Sequence, residues 1–264
     1  MPRQEGGSNS DRYHIRSVER ALSILELFVD GEREQSASTI SKALNLHRST
    51  TFRFLATLTS SGFIEHNAEN GKYRLGVASL ELGTAFLRHS DLRENATSIL
   101  EKLRDDSGET VHLAILEGNE IVYLEKLVGL HPIGLMPSLV GGRSPAHCTG
   151  LGKALLAFLS DQQIEGLYQS TEIKHYTGNT ITDYQELLAE LHEIRSKGFA
   201  VDNQEHHSGV MCVAAPVFDQ NGVIAAMSVA GPAERIQRKM ADKSLDVLVK
   251  NSAAAISSRM GGGR

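Results

Sequence analysis

Two stretches of this chain carry side chains whose types and spacing could do chemistry. The first is Arg48-Ser49-Thr50 with Arg53, a run of hydroxyl and guanidinium groups on one face of a helical segment. Such a face suits duplex DNA, because early helix residues meet base edges while hydroxyls and guanidinium groups fix phosphates. Lys72 and Arg74 stand two apart on a strand candidate just downstream, placed to touch the same backbone. The second stretch is GGRSPAHCTGLGKAL, with glycines ahead of a helix and a lysine. It lacks the phosphate-loop spacing GxxxxGK[ST], since Ala154 follows Lys153. What remains is a helix start whose Thr149, Gly150 and Leu151 N–H groups could receive a carboxylate.

Cys148, Asp202, His206 and Cys212 form a third set. A cysteine with a histidine and a carboxylate suits a thiol nucleophile, and two thiolates with a carboxylate or imidazole suit zinc. Neither has a local signature such as CxxC, and the plainest reading of each cysteine is a small buried hydrophobe. A thiol-dependent hydrolase domain on a DNA-binding tether, using Cys148 or Cys212 with His206 or His207, is the alternative function.

The elements that must position these groups follow from periodicity. Ile40, Ala43 and Leu44 recur at helical spacing, Ser36 or Ser38 supplies an N-cap, and Asn45 suits a left-handed exit. A second helix from about His47 buries Leu55 and Leu58 beside Phe54, with Phe52 joining either the core or the DNA face. Ile64–His66 and Lys72–Leu75 flank Ala68-Glu69-Asn70-Gly71, a hairpin signal. A helix–turn–helix followed by a hairpin is a winged helix. Ahead of it, Ser17 is expected to cap a helix that buries Val18, Leu22, Leu25 and Val29.

This N-terminal segment resembles the IclR family of bacterial transcriptional regulators. The matching residues are SVERALSILELF, RSTTFRFLATLTSSGFIEHN and the wing ending in GKYRLG, and the resemblance continues through the C-terminal half. The residues predict a disordered stretch at 1–13 and a winged helix over 14–76, and the resemblance implies that the helix over 77–90 is a linker that packs in a dimer. A GAF/PAS-like effector domain would follow over 91–258, with 259–264 frayed. In the family the GGRSPAHCTGLGKAL helix start lines the effector pocket, which brings in Cys148, Thr149, Gly150 and Leu151. Asp202 in FAVDNQEH, Cys212 in VMCVAAPVFD and Ser228 in AAMSVAGP match further pocket positions. Leu135 and Met136 would form the apolar wall opposite. Ala230 stands where relatives often carry a second hydroxyl. Some members bind zinc in this pocket, for which Cys148, Asp202 and Cys212 are the candidates here; no other cofactor is implied.

The C-terminal residues by themselves predict an α+β domain, with helices packed on an antiparallel sheet. A helix from Ser90 or Asp91 to about Ser107 precedes strands at Val111–Leu116, Ile121–Leu127 and Ile133–Met136. A loop over Pro137–Pro145 leads to a helix at Gly150–Leu159. Ser160 with Gln163 and Thr182 with Gln185 are capping boxes, the second opening a helix that Gly198 ends. Strands at Phe199–Asp202, Val210–Phe218 and Val223–Ala230 precede one final helix with Ile236, Met240, Leu245 and Leu248.

Composition sets outer bounds. At 264 residues there is room for one large or two modest domains. A hydrophobic content of 41% with 22% charged residues is that of a globular protein, and no apolar run is long enough to span a bilayer. The polar opening MPRQEGGSNSDR is no signal peptide, so the expected location is cytoplasmic. Two cysteines make no disulfide framework. A net charge of −5 argues against indiscriminate nucleic-acid binding. It leaves room for a basic reading head built from Arg12, Arg16, Arg48, Arg53, Lys72 and Arg74. Together with the reading helix, the resemblance implies a non-enzymatic transcriptional regulator, repressor or activator. It would bind operator DNA as a homodimer or dimer of dimers and answer to a carboxylic or aromatic acid.

Overall fold

The computed structural model describes residues 15–29, 31–130, 138–168, 172–242 and 244–262. The expectations for 1–13, for a strand at Ile133–Met136 and for Leu135 and Met136 lie outside the described residues. The chain divides into two compact units, 1–88 and 89–264.

The first unit opens with α1 (Arg16–Glu26), α2 (Ala37–Ala43) and α3 (Arg48–Ser60). The buried row of α1 is not the expected one. Ile24 and Phe28 are buried, whereas Val18, Leu22 and Val29 are 53%, 53% and 60% exposed, and Leu25 is only partly buried. The segment carries two apolar rows at helical spacing, and only one of them meets Ile40, Leu55, Leu58 and Ile64 in the core. Ile15, not Ser17, occupies the N-cap, and no side chain closes that end. Elsewhere the local signals hold. Ser36 Oγ accepts from the Thr39 N–H at 3.1 Å, and Asn45 leaves α2 with φ 48°. The His47 ring caps α3 through the Ser49 N–H.

Strands β1 (Ile64–His66) and β2 (Tyr73–Leu75) pair antiparallel, Glu65 opposite Arg74, and Gln35 extends the ribbon by bridging Tyr73. Helix α4 (Val77–Arg88) begins at once. Its start is tied to the end of α3: Gly76 N–H bonds the Phe63 carbonyl at 2.8 Å and Ala78 N–H the Gly62 carbonyl at 3.2 Å. Ser79 Oγ donates to Phe63 O at 3.0 Å. A Cβ on Gly76 would be driven into the Gly62 carbonyl, so this approach needs glycine. None of the described residues of α4 is buried, and Val77, Leu80, Leu82 and Phe86 are all at least 60% exposed.

The second unit starts with α5 (Asp91–Ser107), capped by Ser90 and ended by Gly108 at φ 70°. It is built on a six-stranded antiparallel sheet. The strands are β3 (Thr110–Glu117), β4 (Glu120–Leu127), β5 (Arg143–Pro145), β6 (Ala200–Asn203), β7 (Val210–Asp219) and β8 (Gly222–Pro232). Their spatial order is β5-β4-β3-β8-β7-β6. Period-2 alternation divides β7 between two cores. Met211, Val213, Ala215 and Val217 face α5, α9 (Ala233–Ala241) and α10 (Leu245–Arg259). Ala214 faces α6 (Gly150–Leu156), α7 (Asp161–Tyr168) and α8 (Tyr184–Lys197).

Four details differ from expectation. The strand beside β4 is Arg143–Pro145, inside the expected loop, and three residues are too few to show alternation. Helix α8 is capped by Asp183, whose Oδ1 accepts from Gln185 and Glu186 N–H, so the box centred on Thr182 is one residue early. The final helix is two helices. Ser244 Oγ donates to the Lys239 carbonyl, a local bond that competes with helix continuation. Residues 259–262 are not frayed, because α10 runs to Arg259 and Gly261 bridges Asp219. The Ser160–Gln163 box is present, with Ser160 N–H to Gln163 Oε1 at 2.9 Å and the return bond at 3.3 Å.

Candidate nucleic-acid interface and ligand site

Helix α3 separates its faces cleanly. Thr51, Leu55 and Leu58 are buried, while Arg48, Ser49, Phe52 and Arg53 are exposed and Thr50 is half-buried. Phe52, 50% exposed, lies on the outer face and not in the core. Ser49 Oγ sits 2.8 Å from His47 Nδ1, so part of its hydroxyl capacity serves the cap. Among the described residues, no carboxylate lies within ion-pair distance of Arg48 or Arg53, and both guanidinium groups stand ready for an external anion. On the hairpin, Lys72 and Arg74 share one face of the ribbon by alternation. Arg74 Nε and Nη2 reach Glu65 Oε2 at 3.0 and 2.9 Å. That pair is half exposed, a setting in which such bridges contribute only ~0–1 kcal/mol.

The second group of candidates assembles on the α6 face of the large sheet. Asp202 on β6 is the register partner of Cys212 on β7. Gly150, the first residue of α6, lies on that pair, since a Cβ there would stand 2.5 Å from Cys212 Sγ. Glycine is what lets the helix start approach the sheet, and its N–H bonds Cys212 Sγ. Thr149 caps the helix by accepting from Gly152 N–H at 3.2 Å and donates to the Pro145 carbonyl at 2.9 Å. Cys148, Gly150, Leu151 and Thr149 are all buried. Ser228 on β8 is 1% exposed, and its Oγ has no hydrogen-bond partner among the described residues.

Burial sets the electrostatics. The Asp202 carboxyl is pushed up to about 7, chiefly by burial and further by Glu205, against the opposing pull of backbone N–H groups and Lys153. Its Oδ1 accepts from Glu205 N–H at 2.7 Å. Burial raises both Cys148 and Cys212 far above the usual thiol range, and the Asp202 charge adds to it. These are protonated, unreactive thiols. His206, one of the two candidate bases of the hydrolase alternative, is pushed down to about 4 by burial and by His207 and His147. Among the described residues no three His, Cys, Asp or Glu side chains converge as a metal site, so the zinc set Cys148, Asp202 and Cys212 is not assembled.

Several members of this site escape sequence reasoning. Lys153 is fully buried, with Nζ 2.6 Å from Glu205 Oε1 and 3.0 Å from Glu190 Oε1. Burial opposes its charge, but the two carboxylates outweigh that and raise its pKa, so this lysine is committed internally. His112 lies opposite Ser228, with Nε2 2.9 Å from Ser138 Oγ. Burial first and Lys126 second bring it down to about 3, which keeps the imidazole neutral. The Tyr123 ring stacks 5.3 Å from His112, and its hydroxyl, within electrostatic reach of Cys148, Cys212 and Asp202, donates to Ser144 Oγ. Alternation along β3 and β4 was the available signal for both residues. The lysine and its carboxylates are separated by 37 and 52 positions and leave no local trace.

No helix among the described residues is long and apolar enough to cross a membrane. Residues 84–258 match the model for the bacterial transcriptional regulator IclR C-terminal domain, and residues 17–68 match the IclR helix-turn-helix domain. The chain is 39% identical over 223 residues to the HTH-type transcriptional regulator XynR of Escherichia coli K12, across 84% of this chain and 88% of that one. The crystal structure of the Thermotoga maritima IclR is similar at 32% identity and a TM-score of 0.72, covering 94% of this chain and all of that one. An IclR homologue of Microbacterium hydrocarbonoxydans, crystallised with 4-hydroxybenzoate, is 26% identical with a TM-score of 0.80, covering 92% of this chain and 98% of that one. A helix–turn–helix unit and a sheet domain on one chain, each matched by its own family model, place this protein in the IclR family of bacterial transcriptional regulators.

Proposed function

We propose that this protein is a cytoplasmic operator-binding regulator whose DNA affinity answers to a small carboxylic or aromatic acid. The observation that carries the DNA half is the outer face of α3, where Arg48 and Arg53 stand without acidic partners among the described residues beside exposed Ser49 and Phe52. In this reading Arg48, Ser49, Thr50 and Arg53 enter the major groove while Lys72 and Arg74 hold phosphates. Arg74 exchanges Glu65 for a phosphate at little cost, because the bridge it gives up is exposed.

The effector pocket is assigned to the α6 face, with Cys148, Thr149, Gly150, Leu151, Asp202, Cys212 and Ser228 as its polar side and Leu135 and Met136 as its apolar wall. The 4-hydroxybenzoate held by the Microbacterium homologue supports an aromatic or carboxylic acid. The Ser228 hydroxyl, unpartnered among the described residues, and the Asp202 carboxyl, raised to about 7 by burial, suit a ligand that presents hydroxyl as well as carboxylate. The exposed apolar rows of α1 and α4 support burial against a second copy, as a homodimer or dimer of dimers. A ligand shifts DNA affinity only through unequal affinity for the two states, and coupling of ~1–3 kcal/mol gives a change of roughly 5- to 150-fold.

The test is a mobility shift of the promoter DNA flanking its own gene, with and without a panel of carboxylic and aromatic acids. A shift that one acid abolishes or strengthens supports both halves. A shift that no compound alters leaves the DNA half standing and removes the acid class. Absence of any shift from folded protein at low salt, with that promoter and with a mixed-sequence duplex, sinks the reading of α3.

A further inference from the structure

We propose that Glu34 is the positioning residue of the wing, its carboxylate gripping both corners of the β1–β2 loop so that Lys72 and Arg74 meet the phosphate backbone together. The proposal rests on the DNA-reading role assigned to the wing. Its geometry does not. Asn67 Nδ2 donates to Glu34 Oε1 at 3.1 Å and Asn70 Nδ2 to Glu34 Oε2 at 2.7 Å. Each asparagine spends its own Oδ1 on the loop backbone: Asn67 accepts from Glu69 N–H and Asn70 from Lys72 N–H, both at 3.0 Å. Two side-chain turns of this kind shape the loop locally, and one carboxylate joins them.

Glu34 is itself held in place by its neighbour. Gln35 exchanges backbone bonds with Tyr73 at 2.9 and 2.8 Å, and its side chain donates to the Leu27 carbonyl just beyond α1. The wing is therefore fastened to the helical body through residues 34 and 35, more than thirty positions away from its tip in sequence. Lys72 and Arg74 are the cations facing the Glu34 carboxylate, and with Asn67 and Asn70 foremost they hold its pKa below the usual range. Glu32 and Arg33 complete the charged groups around the same groove.

Two opposite effects on DNA follow from a carboxylate at this place, and they differ in sign. As a bare charge it repels phosphate, so removing it would raise affinity and steepen the salt dependence. As a clamp it organises two cations, so removing it would free the wing and cost phosphate contacts. Each lost contact lowers the slope of log K against log salt by about 0.9. The clamp outweighs the charge if both cations depend on it.

The experiment uses the full chain with a labelled duplex carrying the promoter region of its own gene, titrated over a range of salt. Amide hydrogen exchange is followed at Gly71 and Lys72. For Glu34→Ala the expected result is affinity weakened about 3- to 10-fold, a slope smaller by roughly 1 to 2, and lost protection of the wing amides with the helical body unchanged. Glu34→Gln, which keeps one acceptor oxygen but no charge, should fall between wild type and Glu34→Ala. Higher affinity with a steeper slope in both variants, or wing amides as protected as in wild type, overturns the proposal. Lys72→Ala with Arg74→Ala separates it from the reading beneath: an unchanged slope there removes the wing from the DNA contacts and the role of Glu34 with it. Lost wing protection in Glu34→Ala would in that case still report the clamp as a structural contact.

Discussion

The two units of this protein place their charged groups in opposite environments. On the winged helix, Arg48, Arg53 and Lys72 stand at the surface and the core beneath them is a handful of aliphatic and aromatic side chains. On the sheet domain, Lys153, Glu205 and Asp202 are buried; the lysine is paired with Glu205 and Glu190, and burial dominates at Asp202. A surface charge is cheap to keep and available to a large polyanion. A buried charge is costly unless paired, and once paired it specifies an arrangement more than it strengthens it. The first unit leaves its cations open to an external anion, and the second commits its own internally.

The largest test of that contrast is Lys153→Met. Removing the ammonium leaves Glu205 and Glu190 around an apolar side chain, and breaking a buried pair costs ~3–5 kcal/mol. Hydrogen exchange should show this loss in residues 89–264 with the winged helix as stable as before. Equal loss in both units would erase the distinction. Next comes Asp202→Asn. Between the ordinary aspartate pKa and about 7 the native state holds a proton that the unfolded chain has released, so wild-type stability falls as pH rises through that window. The asparagine variant escapes this fall, and its advantage should grow from near zero at pH ~4 to as much as about 4 kcal/mol above pH ~7. A difference independent of pH would remove Asp202 from the titrating groups.

Smaller effects are expected at the surface. Arg53→Ala should weaken operator binding by about 1–3 kcal/mol at fixed salt. Its unfolding free energy should stay within ~0.5 kcal/mol of wild type. An unchanged affinity would take Arg53 off the reading face. Smallest of all, Glu65→Gln should leave stability within ~0.5 kcal/mol, because the bridge to Arg74 is half exposed. DNA affinity should rise a few-fold as Arg74 is released, and a fall would mean that Glu65 positions the arginine instead of competing for it.

The same division explains what the sequence disclosed. Features fixed by near neighbours were legible: the Ser36 cap, the left-handed Asn45, the Ser160–Gln163 box and the hairpin at Gly71. The failures arose where local pattern was ambiguous or too short. Helix α1 offers two apolar rows, and only the position of α2 and α3 decides between them. Strand β5 has three residues, and Asp183 competes with an equally plausible Thr182. At the candidate ligand site the α6 start, Cys148, Asp202 and Cys212 stood out by residue type and Ser228 by family likeness, whereas His112, Tyr123 and the Lys153 network did not emerge. Those depend on which strands lie side by side, and β3 meets β8 across more than a hundred residues.

The glycine contact between residues 62 and 76 has a mechanical meaning. Two backbone bonds and a serine hydroxyl close the joint, and the absence of a Cβ at Gly76 lets the two backbone segments meet directly. Helix α4 is about 18 Å long at 1.5 Å per residue, and it acts on that joint as a lever. A tilt of ~10° at its base would carry its far end ~3 Å, a conversion that works equally in reverse. Because those bonds fall on Gly62 and Phe63, between α3 and β1, the base of the lever lies where the helix–turn–helix meets the wing.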